Sequence, residues 1–232
     1  MSRLLILLLF LNFAQSTILA QDAHLNFKID CDTVTYQEEN YTDSLEFYES
    51  YFGSNKKISI KDKKLKLAFY VALRHYPELK QVPMKIDLKK ISATMMAQPT
   101  LGFLFHRKEN RSYQIFVNST QANNGMYYKD LTFNSQVGWI GHELAHILDY
   151  SHKNNSQLLA FITRYVSSKR ELKKTECEAD KTAIRHGLGK QLLEGVNYFY
   201  HNNRVSKAYR EKKKSYYLSP EQIETEMVLN CK

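Results

Sequence analysis

Apolar residues fall into three regimes along the chain. From Met1 to Ala20 a basic start at Arg3 precedes an apolar run from Leu4 to Phe13, then small or apolar residues at Ile18-Leu19-Ala20. This is the layout of a cleaved secretory signal over residues 1–20, which makes the expected location secreted or periplasmic. The run is too short to cross a bilayer, and no later stretch approaches about twenty apolar residues, so no integral membrane segment is expected after signal cleavage. Residues 21–232 are expected to form a single domain, since no Pro/Ser/Gly linker or internal repeat interrupts them.

The second regime mixes helix and strand. Asp22 to Lys57 is polar and aromatic without a clear period. From Lys61, the spacing of Leu65, Ala68, Phe69, Ala72, Leu73 and Tyr76 predicts an amphipathic helix ending before Pro77. Met84 to Lys89 alternates apolar and charged, Leu101 to Phe105 is mostly apolar, and Tyr113 to Val117 is β-branched and aromatic; all three read as strands. Arg107 to Arg111 would turn the last two into a hairpin, with Tyr113–Asn118 as the candidate exposed edge for binding an extended peptide.

The third regime is helical. Val137, Ile140, Leu144, Ile147 and Leu148 mark a buried stripe, with Asn134 or Ser135 as the N-cap. Further helices are expected over Ser156 to Ser167, over Arg170 to His186 with Gly187 as C-cap, around Gln191 to Tyr200, and from Pro220 behind a capping Ser219. The fold class is therefore α+β, mostly helical, with a small β-sheet preceding the central helix.

That central helix carries His142-Glu143-Leu144-Ala145-His146, an HExxH pattern. Residues four apart share one helix face, so both imidazoles can converge on one ion while Glu143 reaches a water bound to it. Catalytic zinc needs a third protein ligand, and two candidates compete. His152 has the spacing of HExxHxxGxxH, but Asp149 stands where the metzincin pattern requires glycine for a sharp turn. Glu176, in Glu176-Cys177-Glu178-Ala179-Asp180, shares a helix face with Asp180. One of these carboxylates could bind metal while the other orients a ligand histidine. With HExxH upstream and glycine missing at position 149, Glu176 is favoured and His152 stays open.

HELAH followed some thirty residues later by ECEADKTA resembles the gluzincin metallopeptidases. Within them it is similar to the ExxAD group that includes the CAAX prenyl endopeptidases, the bacterial membrane heat-shock protease and their soluble periplasmic relatives. The resemblance covers roughly Gln136 to Gly189 and implies a zincin-like fold. It also implies His142, His146 and Glu176 as Zn2+ ligands, Glu143 as catalytic general base and Asp180 as the partner of a ligand histidine. The chain departs from the integral-membrane members in having no spanning segment. The implied function is an exported zinc endopeptidase acting on a peptide or protein; the alternative is a non-catalytic metal- or peptide-binding protein on the same scaffold. His186, His201, Tyr216 and Tyr217 are candidates for stabilising the oxyanion, with nothing to choose among them.

The remaining composition changes the picture little. A net charge of +9 would suit an acidic substrate or an anionic cell surface. Lys212-Lys213-Lys214 beside Tyr216-Tyr217 is the most nucleic-acid-like patch, but without a recognised binding module no nucleic-acid partner is expected. Cys31 and Cys231 could pair in an oxidising compartment, leaving Cys177 as a buried helical thiol. Sequons at Asn40, Asn110, Asn118 and Asn154 matter only in a glycosylating pathway.

Overall fold

A computed structural model describes residues 34–120 and 126–230. The expected signal over residues 1–20 and both Cys31 and Cys231 lie outside these residues. The described chain is α+β: eight helices and a four-stranded mixed sheet, interspersed with short 3₁₀ turns.

The aromatic stretch without a clear period contains a short helix, α1 (Leu45–Phe52), followed by β1 (Lys56–Ile58). Helix α2 (Lys63–Leu73) begins at Asp62, whose side chain accepts from Leu65 N–H, and is buried at almost every position from Leu65 to Leu73. Strand β2 runs Met84–Lys89, as its alternation predicts. The second strand does not lie at Leu101–Phe105. It is β3 (Met95–Pro99), while Phe103–Phe105 forms a 3₁₀ turn after Gly102, whose φ of +87° breaks the extended backbone.

Strand β4 (Tyr113–Asn118) is buried at all six positions and lies inside the sheet, whose order is β1-β2-β4-β3. It pairs in parallel with β2 and antiparallel with β3, Ala97 opposite Ile115. The expected edge is therefore an interior strand, and β1 and β3 are the edges, β3 being the one beside the central helix. Arg111 is not a turn residue either. Its buried guanidinium donates to Tyr150 O, which also accepts from Lys153 N–H, and to Lys153 O, so it fastens the end of the central helix. Asn118 is also buried and donates to Thr120 O at 2.9 Å, so this sequon is not an accessible glycan acceptor.

The central helix, α3 (Phe133–His152), is buried on every side as far as Leu148, the pattern of a helix surrounded by others. Its cap is Thr132, whose Oγ1 accepts from Ser135 N–H. The expected caps are used in tertiary contacts instead: Asn134 and Ser135 both donate to Glu194, and Asn134 Oδ1 accepts from Tyr36 N–H.

Two short helices follow, α4 (Asn155–Ser167), opened by a capping box from Asn154 and Gln157, and α5 (Lys169–Ala183). Helix α5 is strongly charged, yet Glu176, Ala179, Asp180 and Ala183 form one buried stripe against α3. It stops at Ala183 rather than His186. A wide turn over Ile184–Leu188, with Gly187 at φ +76°, leads into α6 (Gly189–His201). That turn is fastened to the segment just after α2 by His75, whose Nδ1–H donates to His186 O while Nε2 accepts from Tyr36 O–H, both at 2.7 Å. Burial and the nearby Arg74 push the pKa of His75 down to about 3, so it is neutral.

Helix α7 (Lys207–Tyr216) carries the lysine run, and α8 (Pro220–Asn230) begins behind Ser219, whose Oγ accepts from Gln222 N–H. Lys213 and Lys214 lie over the rings of Tyr217 and Tyr200. Cys177 is a free, half-buried thiol donating to Tyr216 O. Among the described residues no helix is long and apolar enough to cross a membrane.

Helices α3 and α6 approach so closely that a Cβ on Gly138 would lie 2.3 Å from the carbonyl carbon of Gln191 and 2.6 Å from Leu192 N. Those neighbours are backbone and cannot rotate away. A Cβ on Gly141 would meet only the flexible end of Leu188, at 2.4 Å. Gly138→Ala is expected to destabilise the fold by about 1–3 kcal/mol in urea unfolding, and Gly141→Ala by less.

Candidate metal centre

Three buried side chains converge where α3 meets α5. His142 and His146 lie one turn apart on α3, and their Nε2 atoms are 3.1 Å apart. Glu176 Oε2 comes from α5 and lies 3.2 Å from His142 Nε2 and 3.5 Å from His146 Nε2. A tetrahedral ion with bonds of about 2.0–2.1 Å spaces its ligand atoms about 3.3 Å apart. The three donors therefore fit the corners around one metal ion, and they are a group able to hold one. Two imidazoles and one carboxylate form a donor set suited to zinc.

Each donor is held from behind. His142 Nδ1–H donates to Asp180 Oδ1 at 2.8 Å, which leaves Nε2 pointing into the site. Asp180 is itself held, its Oδ2 accepting from Leu218 N–H at 2.9 Å. Tyr165 O–H on α4 donates to Glu176 Oε1, so the other carboxylate oxygen faces the histidines. Tyr150 stacks on the His146 ring, with centroids 6.0 Å apart.

The electrostatics favour a cation. Burial works against charge on His142, but hydrogen bonds to the Asp180 and Glu176 carboxylates outweigh it and push its metal-free pKa up to about 10. Burial alone would raise Glu176; His146 and His142 overcome it and hold the carboxyl well below the usual range. Metal-free, the pocket gathers a proton where a cation fits, so metal uptake competes with that proton.

Glu143 follows His142 on the helix, and its Oε2 accepts from the backbone N–H of Ala97 on β3 at 2.6 Å. The β3 edge of the sheet thus runs directly beside the site. No protein-family profile matches the chain, and no curated protein or solved structure matches it. What the site can do rests on its own residues.

Sequence reasoning placed His142, His146, Glu176, Glu143 and Asp180, and the fold brings all five together. His152 does not join them. It is the last residue of α3 and exposed, about 15 Å along the axis from His142 at 1.5 Å per residue, because Asp149 continues the helix instead of turning it. Of the four oxyanion candidates, Tyr217 lies near the site, its ring centroid 5.4 Å from that of His142. His186 stacks on Tyr76 and donates to Thr182 O. Tyr165, Ala97 N–H and Leu218 N–H were missed. The last two are backbone groups with no sequence signal, and Tyr165 lies eleven residues before Glu176 on a different helix.

Proposed function

We propose that the chain is an exported zinc-dependent endopeptidase with a zincin-like arrangement of sheet edge and active-site helix. The observation that carries this reading is the convergence of His142, His146 and Glu176 at ligand spacing, with Glu143 beside them on the same helix. The likeness of HELAH and ECEAD to the gluzincin pattern supports it.

When bound, zinc supplies Lewis-acid activation of a water and of the scissile carbonyl. Glu143 moves the proton: Ala97 N–H engages Oε2, which leaves Oε1 to take a proton from the attacking water and pass it to the leaving amine. Asp180 and Tyr165 keep the ligand atoms aimed.

The substrate strand belongs along β3. Thr94 O and Thr100 N–H are used on the β4 side, so by alternation the backbone groups of Met95, Ala97 and Pro99 face outward, as the Ala97 contact to Glu143 shows. An extended peptide adding there would lie across Glu143.

The purified chain is expected to carry one zinc and to cleave an unstructured protein such as casein, with activity lost to a chelator and restored by zinc. Full zinc occupancy without cleavage would point instead to the non-catalytic binder.

A further inference from the structure

The segment after β3 presents a concentrated apolar tip to solvent. Leu101 is 94% exposed, Phe105 90% and Leu104 46%. Single exposed apolar residues are ordinary, but three within five positions mark an interaction surface. The tip is also built. Gly102 supplies the left-handed turn, and Asn155 Nδ2 at the start of α4 donates to both Leu104 O and His106 O at 3.1 Å. Thr100 is tied to Ser112 through both its backbone and its hydroxyl.

Cations surround it. Arg107 and Lys108 follow directly and are exposed. On the other side, Lys85 and Lys89 line an open groove of about 450 Å³ together with Leu101 itself, Gln98, Gln114 and Phe116. Acidic groups are fewer at this face: Glu109 lies in the loop, and Asp87 is 3.9 Å from Lys85. The tip is almost fully open to solvent and the groove beside it is shallow and basic, which suits a soft planar anionic partner better than a complementary protein pocket. Its flanking charge adds to a chain of net +9.

We infer that this face docks on the surface of an anionic lipid bilayer. Leu101 and Phe105 enter the boundary between headgroups and acyl chains, and Lys85, Lys89, Arg107 and Lys108 meet the phosphates. Attachment of this kind is peripheral and uses both apolar burial and charge. It places the solvent-facing side of the sheet and the end of β3 next to the membrane surface. The inference is independent of the metal reading, since none of its residues touches the metal centre.

The test is vesicle flotation of the full chain with two double variants, L101S/F105S and K85E/K89E. Vesicles of phosphatidylglycerol with phosphatidylethanolamine are compared with neutral phosphatidylcholine vesicles. Any contribution from the apolar N-terminal run is common to all three proteins, so the differences between them report on the loop face. The native chain is expected to bind anionic vesicles, and more weakly in high salt. L101S/F105S should lower partitioning at least about tenfold, and K85E/K89E should lower it on anionic vesicles only. Zinc content and circular dichroism should be unchanged in both variants. Equal binding by the native chain and L101S/F105S overturns the inference, as does undiminished anionic binding by K85E/K89E, or no vesicle binding at all. If L101S/F105S instead converts a dimer to a monomer in sedimentation while lipid binding persists, the face covers a second copy and the bilayer reading fails.

Discussion

Glu143→Gln is expected to keep full zinc occupancy while lowering kcat/KM on casein by a factor on the order of 10²–10⁴, the range attributed to general acid–base catalysis. Gln keeps the size of the side chain and an oxygen able to accept from Ala97 N–H, so the contact between α3 and β3 survives. What is lost is a group that can take a proton at Oε1. The substitution therefore separates the proton-transfer role from the positional one. Unchanged circular dichroism and zinc content together with lost cleavage support the mechanism. Undiminished cleavage by the variant sinks it.

The second large effect concerns the third ligand. Glu176→Ala is expected to weaken zinc binding by more than the about ten- to hundredfold typical of losing an outer hydrogen-bond partner, whereas His152→Ala should leave it unchanged. Glu176 Oε2 lies within 3.5 Å of both imidazole Nε2 atoms, and His152 is exposed at the far end of an unbroken helix. Competition against a chromophoric zinc chelator measures both variants on one scale. Retained affinity in Glu176→Ala, or its loss in His152→Ala, would reverse the ligand assignment. The pocket also predicts the sense of any accompanying damage. Without Glu176, Tyr165 O–H loses its partner and His142 loses one of the two carboxylates that favour its charge, so α4 and α5 are the elements whose packing should loosen.

Much of the candidate metal centre was legible because its components are local. HExxH and the Glu176/Asp180 pair each depend on residues four apart on one helix, a spacing that the backbone alone imposes. Helix α2, strand β2 and the Ser219 cap were legible for the same reason. The errors arose where a local pattern could be satisfied in more than one way. Asn134 and Ser135 are good caps, but Glu194 and Tyr36 claim them, and the cap passes to Thr132. The apolar run from Leu101 to Phe105 looks like a strand, yet Gly102 turns it, so that Phe103 packs on the core while Leu101, Leu104 and Phe105 face water.

By itself the sequence determined the central helix with its HExxH face, the Glu176/Asp180 pair as a candidate partner for it, and the α+β class, because helical periodicity and ligand spacing are properties of neighbours along the chain. Only the tertiary structure decided between Glu176 and His152, since that choice depends on whether α3 turns at Asp149 and which face α5 buries against it. Only the tertiary structure decided which strand lies at the edge of the sheet. An interior and an edge strand share the same alternation and differ in who pairs with them, and strand order is a matter of long-range contact. The backbone amide of Ala97 reaching Glu143 follows from that order, so the link between sheet edge and metal centre lies beyond any local pattern.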